Sequence, residues 1–598
     1  MTLLVALLLA ARVAAPALLP AAGTYSSAQS VTASSRFPGS TLYVTTTGAT
    51  PRRVGAQRYA GAIPVSSTST VCVRAFRTGF QPSSVVCATY TIQAAAGLCA
   101  SESMRATGTT YYYCDCGTGA DPACVVGNDA NPGTNSSAPR RTGWKSRATT
   151  MVAGSTVALC RGGSHAGDGN NTENTSCSAS STCDVRDYTP AAHPEWATDQ
   201  TKRPIISGGR LVYLPNNHPS SGFRYLNLQM ADSFTGQGAA YVEIGSADID
   251  ICNVYFRDSD MGIYFSEPSG ARVTVRQSQF ANLSMGVLGG CDDCLVEDNF
   301  FASSAGGGTG VFDHPVYLGG ASLRMKVRNN EIHGCPVGMS TGTVSIVVHG
   351  EHEDLEITNN LIQCDNPGDF PNQWGIQVGG GYSTAEHFRR SIVRRNRVLG
   401  HSRGIALDSA PNSLVEGNLV VQTSTGSIQE GISVNRDGGG GGGDEDGAGV
   451  TVRNNTIFFP GPPNWGVAFG IDHAGTGHNA TNNAVFYAGT GDLCFVYQQS
   501  AGSYSVLSHN ACNSTWGTTY DTNRVVLSSS PFVSAPTDFT PALGSPLVNA
   551  GTSSSTCTVL GTAASPCYAP TAIGSVTWSP IDAGVARIGG PDVGAYDR

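Results

Sequence analysis

The phrase VRNN occurs at Val327 and again at Val452, and looser copies of it recur through the middle of the chain. Aligned on an apolar residue with a marked position three places later, the series opens with FRYLNL (Phe223), ICNVYF (Ile251), VRQSQF (Val275) and VEDNFF (Val296). It continues with VRNNEI (Val327), ITNNLI (Ile357), VRRNRV (Val393) and VEGNLV (Val415). VRNNTI (Val452), ATNNAV (Ala480) and LSHNAC (Leu507) complete eleven copies, 21 to 37 residues apart. A unit this short cannot close a core alone. It must stack on its neighbours, which makes a solenoid.

The letters inside the phrase select the kind of solenoid. Apolar residues stand three before and two after the marked position, with polar residues between them. Eight copies carry Asn there: Asn299, Asn330, Asn360, Asn396, Asn418, Asn455, Asn483 and Asn510. Asn tolerates left-handed backbone, so it is expected to turn the corner, and stacked Asn side chains can hydrogen-bond as a ladder. The three earliest copies carry Leu226, Val254 and Ser278, so the ladder starts late. A second phrase, Gly-apolar-x-apolar, falls between copies as GIYF (Gly262), GIQV (Gly375), GIAL (Gly404), GISV (Gly431) and GVAF (Gly466), with PVYL at Pro315. Its alternation predicts a further strand in each repeat. Several short strands per repeat and no amphipathic helix of useful length predict an all-β chain, a right-handed parallel β-helix, over a leucine-rich repeat or propeller.

Charge and cysteine usage narrow the function classes. Charged residues make up only 13% of the chain and its net charge is −9, which argues against a nucleic-acid partner and offers no basic stripe to an anionic membrane. Only three lysines occur: Lys145, Lys202 and Lys326. Eighteen cysteines suit an oxidising compartment, with local pairs such as Cys72–Cys87, Cys177–Cys183 and Cys557–Cys567 available. CDDC at Cys291 has the spacing of a zinc or redox site, without the second CxxC or His pair such a site needs. Residues 1–22 contain the apolar run of a secretory signal, too short to span a bilayer and without a basic residue ahead of it. A secreted or cell-surface monomer with no transmembrane span is expected.

Residues 13–93 read as a small Ig-like β-sandwich of Thr/Val/Tyr-rich runs between Gly/Pro turns. The segments PAAGTYSSAQSV, YVTTTGATP, YAGAIPVSSTSTVCVRAF and SSVVCATYTI resemble the chitobiase/β-hexosaminidase C-terminal-like domain, also described as a GH29D-like sandwich. The resemblance implies an accessory spacer or binding module; relatives often carry an acid where this chain has Thr47. Its first strand would lie in VAAPALLPAAGTY, overlapping the signal segment. Residues 94–110 read as a linker, 111–530 as the β-helix and 531–598 as its closing segment. VGNDANPGTNSSAPRRTGWKS and AGSTVALCRGGSH resemble the entrance of secreted pectate-lyase-like β-helix proteins, and DFTPALGSPLVNAGT and DVGAYDR resemble their closing segment. That resemblance implies the fold. It leaves the reaction open, because the fold hosts lyases, hydrolases, epimerases and surface proteins.

Chemistry belongs in outward columns, since inward ones are filled with Ile, Val, Leu and Phe. The column Arg224, Cys252, Arg276, Glu297, Arg328, Thr358, Arg394, Glu416, Arg453 reads as a solvated charge ladder. The column before the glycines reads Met261, Met285, His314, Trp374, Arg403, Glu430, Trp465, with Tyr264, Tyr317 and Gln377 beside it. Exposed aromatics could stack on sugar rings, and Trp374, Gln377, Glu430, Trp465 and Tyr264 are the candidate substrate-binding residues. Eliminating across a uronate needs a base for the C5 proton and a cation for the carboxylate. His314 and Tyr317 are the candidate base and acid, Arg403 the cation and Lys326 an alternative base. Asp292 and Asp293 could hold Ca²⁺ through their oxygens. The expected function is binding an extracellular polysaccharide, with lyase cleavage of a uronate polymer leading. The alternatives are a non-catalytic surface or adhesion rod and a glycoside hydrolase, for which Glu430, Asp408 and Asp437 supply carboxylates.

Overall fold

The computed structural model describes residues 12–92 and 106–547 with interruptions. These fall at 20–22, 26–28, 47, 54–56, 60, 62, 66–68, 107, 168–173, 215–218, 232–239, 267–270, 303–313, 336–343, 365–372, 380–384, 423–429, 436–444, 446, 462–464, 470–476, 488–493, 498–503, 514–520, 522, 536–537 and 542–544. Beyond 547 it describes Tyr568–Ala569 and Val585–Ala586. Cys557–Cys567 and most of the closing segment therefore lie outside the described residues, as does most of the 94–110 linker. The chain divides into two compact units, Met1–Ser103 and Met104–Arg598. No helix among the described residues is long and apolar enough to cross a membrane.

The first unit is a two-sheet sandwich. Ala17–Leu19, Gln29–Ser34 and Ile63–Val65 form one sheet; Gly23–Tyr25, Val86–Ile92, Ser69–Phe76, Thr41–Thr45 and Gln57–Arg58 form the other. Val31, Val71, Val73, Ala75 and Tyr90 fill the interior without exposure. The strand Ala17–Leu19 pairs with Thr32–Ser34, so the sandwich begins inside the apolar N-terminal run.

The second unit is a right-handed parallel β-helix. A 14-stranded parallel sheet runs from Thr110–Tyr113 to Tyr504–Ser508 and carries the first half of each phrase. A 23-stranded sheet carries the rest in two columns, fused where Tyr255–Phe265 and Gln279–Leu288 run unbroken through both. Between the sheets, like residues stack on like: Tyr225, Ile251, Val275, Val296, Val327, Ile357, Val393, Val415, Val452 and Ala480 stand in register. The first copy is thus aligned on Tyr225 rather than Phe223. Its marked position is Leu228, and Leu226, not Arg224, joins Cys252 and Arg276 in the charge column. Phe256, Phe280 and Phe301 stack face to face at 5.0 and 4.4 Å.

The marked asparagines do not turn the corner. The residue before each one does: Gly417 has φ 64°, and Asp298, Asn329, Asn359, Arg395, Asn454, Asn482 and His509 have φ between 54° and 58°. Asn253 (55°) and Gln277 (51°) do the same before Val254 and Ser278. The marked Asn points inward and is buried, where its amide must find partners or cost the fold dearly. Each finds them one coil away. Asn299 Nδ2 donates to Asn330 Oδ1 at 3.0 Å, and the pattern continues through Asn360, Asn396, Asn418, Asn455, Asn483 and Asn510 at 2.9 to 3.1 Å. Asp521 closes the ladder on Asn510, and Ser278 opens it by donating its backbone N–H to Asn299 Oδ1 at 2.9 Å.

The Gly of the second phrase has an equally local cause. A Cβ on Gly404 would meet Val420 Cγ1 at 2.6 Å, and one on Gly375 would meet Val398 Cγ1 at 2.2 Å. Those valines and the following Ile405 and Ile376 are all core residues. Two successive positions therefore face inward, and the residue before the Gly is returned to the outer surface.

Seven disulfides join described cysteines, including Cys72–Cys87 and Cys177–Cys183 as expected. CDDC is one of them, a Cys291–Cys294 bridge, so its sulfurs are not metal ligands. Cys114, Cys116 and Cys124 lie close enough together to suggest a metal centre, but they are bridged as Cys114–Cys160 and Cys116–Cys124.

Candidate active site

The outer column runs Met261, Met285 and His314, then Trp374, Arg403, Glu430 and Trp465, each paired to the next one coil on. One coil was missed in the sequence: Ile346–Val348 lies between the strands of His314 and Trp374, which places Val344 in the gap. His314 and Arg403 are therefore three coils apart, roughly 14 Å at the ~4.8 Å spacing of paired strands. They do not converge on one sugar. In the adjacent column Tyr264, Leu288, Tyr317, Val347, Gln377 and Ala406 follow one another.

Burial revises the expected platform. Trp374 is only 5% exposed, packed with Val344, Val347 and Ala406, and Tyr317 lies against the same cluster. Trp374 is a wall rather than an open stacking face. The Arg403 guanidinium lies over its ring at 5.4 Å and pairs with Glu430, Nε to Oε2 at 3.2 Å. Glu430 is 2% exposed, so its carboxylate is committed to that buried pair. Tyr264 and Gln377 remain partly exposed, two coils to either side of Tyr317. The side chain of Trp465 and all of Asp437 lie outside the described residues.

His314 and Tyr317 are brought together, with ring centroids 5.6 Å apart. His314 Nδ1 lies 2.8 Å from the Val344 carbonyl oxygen. A carbonyl only accepts, so Nδ1 carries the proton and Nε2 is the basic nitrogen. On the other side of Tyr317 stands a residue the sequence reading passed over. The His349 ring is 5.5 Å from that of Tyr317, and its Nδ1 lies 2.8 Å from Oε1 of the fully buried Glu386. The Gly350 N–H donates to the same oxygen at 3.2 Å, fixing the carboxylate in place. A carboxylate on Nδ1 orients the imidazole and fixes its tautomer. The constellation is a partly exposed phenol beside two histidines, His314, itself 8% exposed, and the partly exposed His349, which is backed by a buried acid.

Below it the histidines are structural. His352 is held between Ser322 Oγ at 2.6 Å and the His349 carbonyl oxygen at 3.0 Å, and burial pulls its pKa down to about 4. His401, 2.8 Å from Ser345 Oγ, is likewise lowered to about 4 by burial.

The remaining candidates fall elsewhere. Lys326 lies on the 14-stranded sheet, not the one that carries His314, and pairs with Glu356 at 2.9 Å. It belongs to the charge ladder there, with Arg328–Glu297 and Arg276–Asp250. Asp293 receives both arms of the Arg324 fork at 2.6 and 2.7 Å, which holds its carboxyl below the usual carboxylate range. Asp292 accepts the Leu323 N–H at 2.8 Å. Both Asp293 oxygens and one oxygen of Asp292 are thus already taken, which leaves few ligands of the pair for Ca²⁺. Asp293 instead belongs to a second ladder on stacked left-handed corners, where Arg272 pairs with Asp248 and Arg390 with Asp354.

The fold and its lined outer column define a parallel β-helix that carries a row of polar and aromatic side chains on one outer face. Residues 20–88 match the family described as the Chitobiase/beta-hexosaminidase C-terminal domain. Among solved structures the chain is similar to pectate lyase Pel9A, at 14% identity over 84% of this chain and 99% of that chain, with a TM-score of 0.34. It is similar to the alginate lyase from Paenibacillus sp. str. FPU-7, at 13% identity over 60% and 95%, with a TM-score of 0.32. It is also similar to the PL6 family alginate lyase AlyGC, at 12% identity over 64% and 52%, with a TM-score of 0.36. No curated protein sequence matches the chain.

Proposed function

We propose that the protein acts outside the cell, binds a uronate-containing polysaccharide along the β-helix and cleaves it by β-elimination at Tyr317. The observation that carries this reading is the phenol flanked by His314 and His349, with His349 held by buried Glu386. His314 Nε2 takes the C5 proton, the electron pair forms the C4=C5 double bond, and the C4–oxygen bond breaks. The Tyr317 hydroxyl gives its proton to the departing oxygen, and His349 returns one to Tyr317 between turnovers. Arg403, three coils on and paired with Glu430, does not reach the carboxylate of the cleaved unit, and the cation that neutralises it there would be Ca²⁺ bound together with the polyuronate.

The test is a panel of polygalacturonate, alginate and glycosaminoglycans, monitored for the ultraviolet absorbance of an unsaturated product. The proposal expects product on at least one of them, falling about 10²–10⁴-fold in both Tyr317→Phe and His349→Gln. New reducing ends without that absorbance would instead establish hydrolysis. No product on any polymer would leave a non-catalytic rod.

A further inference from the structure

The first unit has a charge unlike the rest of the chain. Met1–Ser103 contains seven arginines, no lysine and a single acid, Glu102, for a net charge of +6. Since the whole chain is at −9, Met104–Arg598 carries −15. The described span 12–92 has no carboxylate at all, so its arginines have no counter-charge within the sandwich.

Four of them gather. Arg52, Arg53, Arg74 and Arg77 line one cavity of about 680 Å³ with Phe76 and Phe80. Aromatic faces hold the guanidiniums: Arg53 and Arg74 each lie 5.5 Å from the Phe76 ring, and Arg77 lies 5.2 and 5.0 Å from Phe37 and Phe80. Two are also tethered to backbone oxygens, Arg74 to Ser83 at 2.9 Å and Arg77 to Pro38 at 2.7 Å. Stacking against a ring fixes the plane of a guanidinium while leaving its edge N–H groups to meet an oxyanion. Four cations held this closely repel one another, and a bound polyanion relieves that repulsion.

We propose that this cavity is an anion-binding site, and that the sandwich is the module by which the protein attaches to an acidic polysaccharide through its carboxylate or sulfate groups. A polysaccharide is favoured over a nucleic acid by two observations. The Cys72–Cys87 bridge suits an oxidising compartment, where acidic glycans are the available polyanions. The cluster also lines a pocket of small-ligand size rather than an extended stripe. The cavity belongs to the first unit and Tyr317 to the second, and the inference does not rest on the cleavage reaction.

The full chain is titrated with polygalacturonate, which offers only carboxylates, with heparin, which adds sulfates, and with neutral dextran and single-stranded DNA. Binding of at least one acidic glycan, weakened by salt and absent with dextran, is expected. Which glycan binds assigns the oxyanion. Arg53→Gln, at an exposed position stacked over the Phe76 ring, weakens it about tenfold, and Arg53→Gln/Arg77→Gln weakens it further. Arg36→Gln makes the same charge change outside the cavity and leaves binding within about twofold. Product formation on a soluble polymer stays unchanged in the cavity variants, so the two sites fail separately. No binding to either glycan, equal loss in Arg36→Gln, or equal competition by DNA would each overturn the proposal.

Discussion

Replacing Asn360 by Ala removes four hydrogen bonds from a side chain with no solvent exposure. Its Nδ2 donates to the Val327 carbonyl oxygen at 3.0 Å and to Asn396 Oδ1 at 2.9 Å. Its Oδ1 accepts the backbone N–H and the Nδ2 of Asn330, both at 3.0 Å. At about 1 kcal/mol net for each bond the loss is ~4 kcal/mol, and an orphaned Asn330 N–H raises it to about 5–6 kcal/mol. A solenoid need not unfold as one unit, so a single melting temperature would blur this effect. Hydrogen exchange at the Asn330 N–H reads the local opening instead. Its protection is expected to fall about a thousandfold or more, since each 1.4 kcal/mol is a factor of about ten. A fall smaller than about tenfold would refute the view that the ladder, rather than core burial alone, fixes each coil on the next.

The corner beside that Asn behaves differently. Asn329→Gly keeps the corner and loses the hydrogen bond from Asn359, about 1 kcal/mol, whereas Asn329→Ala, also forced to φ 55°, should cost about 1–2 kcal/mol more, read by hydrogen exchange at the neighbouring amides. Trp374→Ala should cost about 3–5 kcal/mol, as expected of a packed wall; unaltered stability with lost glycan affinity would restore it as a platform. The buried histidines set a pH dependence. His352 and His401 are depressed from 6.5 to about 4 by burial, so the unfolded chain binds their protons more readily. Stability is therefore full above pH 6.5 and is lost as pH falls towards about 4, to be checked as a falling urea midpoint over that window.

The scaffold was legible in the sequence because its constraints repeat. Val327, Ile332 and Asn330 recur in kind coil after coil, and each recurrence reports the same inward site. The first copy slipped by two residues because FRYLNL and YLNLQM alternate equally well, and a two-residue shift keeps every side chain on its own face. The role of the marked Asn was inverted for a related reason. Tolerance of left-handed backbone and a need for buried amide partners both select Asn, and VRNN carries one of each kind in succession. His349 and Glu386 were not legible because they belong to no repeating column. Glu386 lies 37 residues beyond His349, and only the contact between the coils makes them partners. The one available signal was the density of titratable residues in VVHGEHEDLE, where a strand would ordinarily hand over to a plain turn.

The ladder also governs what chemistry the surface can host. An inward amide bonded to the coils on either side fixes register to the residue, so outer positions are spaced in whole coil steps of ~4.8 Å. Tyr317 with its histidines is one station, and Arg403 with Glu430 and Trp374 is another, two to four coils farther on. No side-chain rotation merges stations that far apart. Groups that must act on one bond have to share a coil or adjoin it, as His314, Tyr317 and His349 do. Groups separated by several coils can act together only on a ligand long enough to span them. For the cleavage proposed above, the spacing of the outer polar groups therefore favours a polymer over a small molecule.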